Sequence, residues 1–181
     1  VERPFANFLP LPDGNAFRFG GDVTHAEVAR RSPRDAERLP GYFAMLDRVV
    51  QLVRFLAVRT PPNVSDRFVL ADWLASATVA RQLRGFDLRG KRDLLDLFTK
   101  SAGELLDYWF EDDALKAVLG WDAVVGHFAS PYTPGSAYVL LHHVFGEVNG
   151  KVGTWGHAIG GMGAISDAIA AECRARGVVL A

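Results

Sequence analysis

Residues Gly160-Gly161-Met162-Gly163-Ala164-Ile165-Ser166-Asp167-Ala168-Ile169-Ala170-Ala171-Glu172-Cys173-Arg174-Ala175-Arg176-Gly177-Val178-Val179-Leu180 read as a glycine turn, an amphipathic helix and the start of a strand. Ile165, Ile169 and Cys173 recur every fourth residue and so share one face, which is expected to be buried. Asp167 near the start and Arg174 and Arg176 near the end match the sign of the helix dipole. Gly177 is the expected left-handed residue just past the helix. Three glycines in four positions let a ligand, or another backbone, approach the main chain without meeting a Cβ.

A glycine turn that opens a helix is also how many proteins hold a phosphate. The spacing fits that reading poorly. The third glycine of a G-x-G-x-x-G fingerprint would fall on Ser166, and the segment before the turn is broken by glycines. The ribose-binding acid expected about 20 residues further on has no counterpart before Ala181. A tight structural turn therefore stands beside the phosphate loop as an alternative.

Outward from this stretch, 181 residues suit one domain with a real core, and we take 1–181 as that single domain. With 49% hydrophobic and 23% charged residues, the composition is that of a folded domain and not of a disordered chain. A net charge of −1 gives the whole chain no pull towards nucleic acid or an anionic membrane. The single cysteine cannot form an internal disulfide or a cysteine-based zinc site, and it fits a reducing compartment such as the cytoplasm. No run of about 18 apolar residues offers a membrane span. The first residue is Val1 and the last reads as mid-strand, so a piece of a longer protein is expected.

Phe5 to Gly20 is hairpin-like, turning at Asp13-Gly14 with Phe17 and Phe19 alternating about Arg18. Thr24 is expected to cap a short helix to Arg31, and Ser32-Pro33 to start a second that Pro40-Gly41 interrupts. From Tyr42 to Val58 two adjacent apolar stripes mark a wide buried face, with Asp47, Gln51 and Arg54 on the wet side. Ser65 is expected to cap a helix carrying Phe68, Leu70, Trp73 and Leu74. Arg81, Arg84, Arg89, Lys91 and Arg92 lie about a loop bracketed by Gly85 and Gly90 and read as a solvated face. Residues 93–119 read as two or three helices whose acids form a water-facing stripe. A short helix is expected from Trp121 to Phe128, then a loop and the apolar segment from Ala137 to Phe145. The fold class is thus α+β, mainly helical, with a small β-hairpin at its base.

Residue patterns name no catalytic group. His142 and His143 are adjacent, so on a helix they point about 100° apart and do not grip one metal. No metal site is expected, even with His157 nearby. One histidine is expected to bond inside the domain and another to face a cavity. Trp155 and His157, each with a flat ring and a donor, are cavity candidates or packing under the turn.

Gly160–Leu180 resembles a segment of the phytoene dehydrogenase-like FAD-dependent oxidoreductases, in their pyridine nucleotide-disulfide oxidoreductase domain-containing branch. The likeness extends to Pro10-Leu-Pro-Asp-Gly14, to Asp93-Leu-Leu-Asp-Leu-Phe98 and Glu104-Leu-Leu-Asp-Tyr-Trp-Phe110, to Pro131-Tyr-Thr-Pro-Gly135 and to Gly150-Lys-Val-Gly-Thr-Trp-Gly156. The resemblance implies a central, substrate-side portion of a flavoprotein, with 160–181 as the return towards the FAD-side domain. It also implies that Gly160, Gly161, Met162, Gly163 and Ala164 lie near the flavin, and that Trp155, His157, His142 and His143 border the substrate cavity. The partners implied are an apolar or amine-bearing small molecule and the remainder of the parent chain, with a homo-oligomer possible. FAD belongs to that parent and is not expected to be held by this chain, which should be inactive by itself. The alternative reading is a stand-alone helical module for binding or dimerisation, with the glycine turn purely structural.

Overall fold

A computed structural model of the chain describes residues 4–61, 63, 69–148, 150–152 and 156–179. It is α+β and mainly helical, as the sequence reading expects. Strands β1 (Asn7–Pro10) and β2 (Ala16–Phe19) pair antiparallel, Leu9 opposite Phe17. The Asp13 carboxylate accepts from the Asn15 amide and side chain, and Gly14 takes a φ of 80°. Phe17 and Phe19 point inward and are buried, while Arg18 points out.

A 3-10 turn, Gly21–Val23, leads into α1 (Thr24–Arg31). Thr24 does not cap α1. Its hydroxyl instead accepts from Gly20 N at 2.8 Å, closing the 3-10 turn from behind. Ser32 then caps α2 by accepting from Asp35 N at 3.1 Å, with Pro33 at the first helical position.

Helix α2 (Pro33–Ala57) runs unbroken for 25 residues, so Pro40-Gly41 does not interrupt it. A proline inside a helix removes one hydrogen bond and costs about 3 kcal/mol. Pro40 is exposed, and burial on either side of it is extensive: Leu39, Tyr42, Met45, Leu46, Val49, Val50 and Leu52 are all core. Each such side chain contributes about 1.5–3 kcal/mol, which outweighs the missing bond. Gly41 serves packing, because the Trp109 ring lies 3.5 Å from where its Cβ would stand.

Helices α3 (Leu70–Arg84), α4 (Leu88–Thr99), α5 (Ala102–Trp109) and α6 (Asp113–Asp122) follow. The expected Ser65 cap and Phe68 lie outside the described residues. The basic loop is shorter than expected. Asp87 caps α4 through Gly90 N at 2.7 Å, so Arg89, Lys91 and Arg92 are already helical. Ser101 and Glu104 form a reciprocal capping box that starts α5. Asp35, fully buried, accepts from Glu111 N and Asp112 N at 2.8–3.1 Å and ties α2 to the α5–α6 junction.

The helix expected from Trp121 to Phe128 does not form separately. Trp121 and Asp122 end α6, and turns follow to Gly126, which takes a φ of 71°. The apolar segment after the loop is a 3-10 turn, Ala137–Leu141, running into one α turn, α7 (His142–Phe145). Two short strands, β3 (Glu147–Val148) and β4 (Lys151–Val152), form a second hairpin.

Helix α8 (Gly163–Ala175) ends as expected. Gly177 has a φ of 78°, its N–H reaches Arg174 O at 3.0 Å, and Val178 N reaches Cys173 O at 2.9 Å. These are the two bonds of a Schellman motif. Three other expectations fail. Asp167 lies beyond the first turn, because the helix starts only at Gly163. Val178 and Val179 form no strand, since no neighbouring strand pairs with them among the described residues. The face of Ile165, Ile169 and Cys173 is not buried: Ile165 is 47% and Ile169 61% exposed, and α8 buries no residue.

Candidate functional site

A cleft of about 1260 Å³ lies between the end of β2, the start of α1, the outer wall of α2 and the α6–α7 corner. Phe43, Leu39, Trp121 and Val125 supply apolar wall, and Asp22, His25, Asp47 and Gln51 supply polar rim. The α2 contribution follows from helix periodicity, since Leu39, Phe43 and Asp47 stand four apart on one face.

The back of this cleft is fixed by His143. Its Nδ1 stands 2.8 Å from Asp122 Oδ2, and its Nε2 lies 3.1 Å from Leu119 O. The ring meets Phe43 edge-on at 6.4 Å between centroids. Both nitrogens face acceptors, so neither is offered to a ligand, and His143 acts as a clamp between α7 and α6. Arg54 clamps α7 from the other side. Its guanidinium donates to Val144 O at 2.9 Å and Phe145 O at 2.6 Å, satisfying carbonyls at the end of the turn.

Behind the cleft, Tyr42 is fully buried with its ring edge-on to Phe43, Trp109 and Phe110. Its hydroxyl has no hydrogen-bond partner among the described residues, and burial pushes the phenol well above its ordinary pKa. No nucleophile stands beside a base here. The arrangement supplies shape and apolar wall.

Of the candidate site residues named from sequence, His143 alone among the described ones lines the cleft. His142 is exposed, its Nδ1 3.4 Å from Asp122 O, and it does not line the cleft. His157 is exposed on the approach to the glycine turn, and Trp155 lies outside the described residues. Gly160, Gly161, Met162 and Gly163 are exposed and Ala164 is half-buried; none borders the cleft. Asp122 and Arg54 were not legible as site residues. Arg54 sits at a polar position of α2, and only the fold brings Phe145 beneath it.

The turn itself is open. Gly160 and Gly161 take φ values of 90° and 81°, and a Cβ on Gly161 or Gly163 would meet nothing within 4 Å. The main chain at Gly161 and Gly163 is thus open to close approach. Ala164 N and Ile165 N already bond to Gly161 O and Met162 O, at 3.2 Å each. Those two N–H groups are therefore taken up within the turn. Among the described residues no three His, Cys, Asp or Glu side chains converge as a metal site, and no helix is long and apolar enough to cross a membrane.

The chain is similar to a rat protein named pyridine nucleotide-disulfide oxidoreductase domain-containing protein 2, with 36% identity over 165 residues. That match covers 87% of this chain and 28% of the rat protein. The mouse protein of the same name is 36% identical over 156 residues, covering 83% of this chain and 27% of its own length. No family model matches the chain, and no solved structure does. The chain is thus related over most of its length to oxidoreductase-named proteins of which it spans less than a third.

Proposed function

We propose that the chain is the central, substrate-side part of an FAD-dependent oxidoreductase of the phytoene dehydrogenase-like kind, inactive by itself. The observation that carries this reading is the match of 87% of the chain to 28% of an oxidoreductase-named relative. The open turn and the uncovered α8 face are consistent with it, because both offer surfaces that nothing in this chain occupies. The substrate of that parent would be an apolar or amine-bearing small molecule.

In the parent, Gly160–Ala164 would lie against the flavin ring, and the pyrophosphate would be held by segments outside these residues. The bound flavin supplies the hydride-accepting chemistry. The chain's own residues Phe43, Trp121 and Val125 supply apolar wall, and the His143 and Arg54 clamps hold α7 against α6 and α2.

FAD titration, followed by flavin fluorescence, tests this on the 181-residue chain and on a longer protein that contains it. The longer protein is expected to bind one FAD and the chain none. Tight stoichiometric binding by the chain would overturn its assignment as a part. A longer protein without flavin, together with a defined dimer of the chain, would leave the binding or dimerisation module.

A further inference from the structure

The outward face of the β1–β2 hairpin meets the last turn of α1. Phe8 stands opposite Arg18 in the strand register, so the two side chains share one face, the one away from buried Phe17 and Phe19. Together with Leu11, Asn15, Arg30 and Arg31 they line a pocket of about 710 Å³. Its lining holds three guanidinium groups and no carboxylate. It shares no residue with the cleft of about 1260 Å³, whose rim carries Asp22 and Asp47.

Glu27 sets the charge of this pocket. It is 4% exposed and divides its oxygens between two arginines. Oε1 accepts from Arg18, through Nε at 3.0 Å and through Nη2, while Oε2 accepts from Arg30 Nη2 at 2.5 Å. Arg31 has an acid of its own, donating through Nε to both oxygens of Asp112 at 3.0–3.1 Å. Three arginines thus meet two acids, which leaves one positive charge without a bonded partner. Asp13, at the hairpin turn, acts on Arg31 without bonding to it and gives its own oxygens to Asn15. Two guanidiniums held close by one shared carboxylate repel each other, and a further anion between them relieves that repulsion.

We infer that this pocket binds a small organic oxyanion, a phosphate or carboxylate carried on an apolar body. Guanidinium groups take either headgroup through paired N–H bonds. The Phe8 ring, 59% exposed beside Arg18, gives the apolar body a surface to lie on. Glu27 is a positioning residue, because it holds Arg18 and Arg30 and does not itself line the pocket. This inference does not depend on flavin binding.

Titration of the 181-residue chain, followed by the NMR shifts of the arginine side-chain N–H groups, tests it. The probes are phenyl phosphate, benzoate, inorganic phosphate and benzyl alcohol. At least one of the two organic oxyanions is expected to bind, and the tighter one names the headgroup. Inorganic phosphate should bind a few-fold more weakly, benzyl alcohol should not bind, and salt should weaken the complex. Arg30→Gln should cost about tenfold in affinity, and Phe8→Ser should remove the advantage of phenyl phosphate over inorganic phosphate. Arg34→Gln removes an arginine as exposed as Arg30 but outside the pocket, and should change nothing. All three variants should keep the circular dichroism and melting of the parent, since each side chain is largely exposed and Arg18 still holds Glu27. No binding by either organic oxyanion, equal binding of benzyl alcohol, full binding by Arg30→Gln, or an equal loss in Arg34→Gln would each overturn the inference.

Discussion

Helices α2 and α8 invert one another. Locally, α2 is a poor helix, carrying Pro40-Gly41 in its eighth and ninth positions, yet it is the hub against which α1, α4, α5 and α7 pack. Locally, α8 is a good one: positive-φ glycines before it, apolar residues every fourth position and a Schellman stop after it, yet it buries nothing. Local signals thus set where α8 begins and ends. Burial sets that α2 exists at all, because several buried side chains outweigh one lost hydrogen bond.

The sharpest way to break this contrast is to truncate one apolar residue in the hub. Leu46, fully buried, should cost about 2–5 kcal/mol when changed to alanine, read by urea denaturation. A loss under about 1 kcal/mol would mean that α2 is not the hub.

Asp35→Ala should cost about 2–3 kcal/mol, because it strips a charged acceptor from the Glu111 and Asp112 amides where α2 meets the α5–α6 junction. Asp35→Asn should recover part of the loss, since one amide oxygen still accepts. Equal losses for the two variants would show that charge, and not hydrogen bonding, does the tying.

Acid should loosen the α1 side of the body. Arg18, bonded to the buried Glu27 at 3.0 Å through Nε, holds the Glu27 carboxyl below its ordinary value of 4.5, with Arg30 adding to it. A folded-state pKa below the unfolded one stabilises above the unfolded value, and that stability is lost as pH falls through the lower folded one. Wild-type stability should therefore fall below about pH 4.5, and Glu27→Gln should flatten part of that fall. Parallel acid curves for the two would remove Glu27 from the account.

The smallest effect completes the comparison. Ile169→Ala should change the stability of this chain by less than about 0.5 kcal/mol, because the residue is already 61% exposed. A loss comparable to that of Leu46→Ala would show that α8 packs in solution.

Much of the candidate site was half legible. His143 was named, but its partners were not: Asp122 lies 21 residues away, and Leu119 O is a backbone atom that carries no residue signature. Arg54 read as a wet position, since periodicity reports which side of a helix a residue is on and not what chain end arrives there. The reading of α8 went wrong for a related reason. An apolar stripe says that a face is suited to burial, and it does not say that the partner is present.

Sequence alone determined the hairpin, the Ser32 start, the helical class and the Gly177 stop. Each depends on groups a few residues apart, whose hydrogen bonds and φ preferences are local. Tertiary structure alone decided the continuity of α2 through Pro40, the clamps on α7 and the nakedness of α3 and α8. Those outcomes depend on side chains distant in sequence arriving, or failing to arrive, on a given face, and the free energy of burial belongs to that meeting.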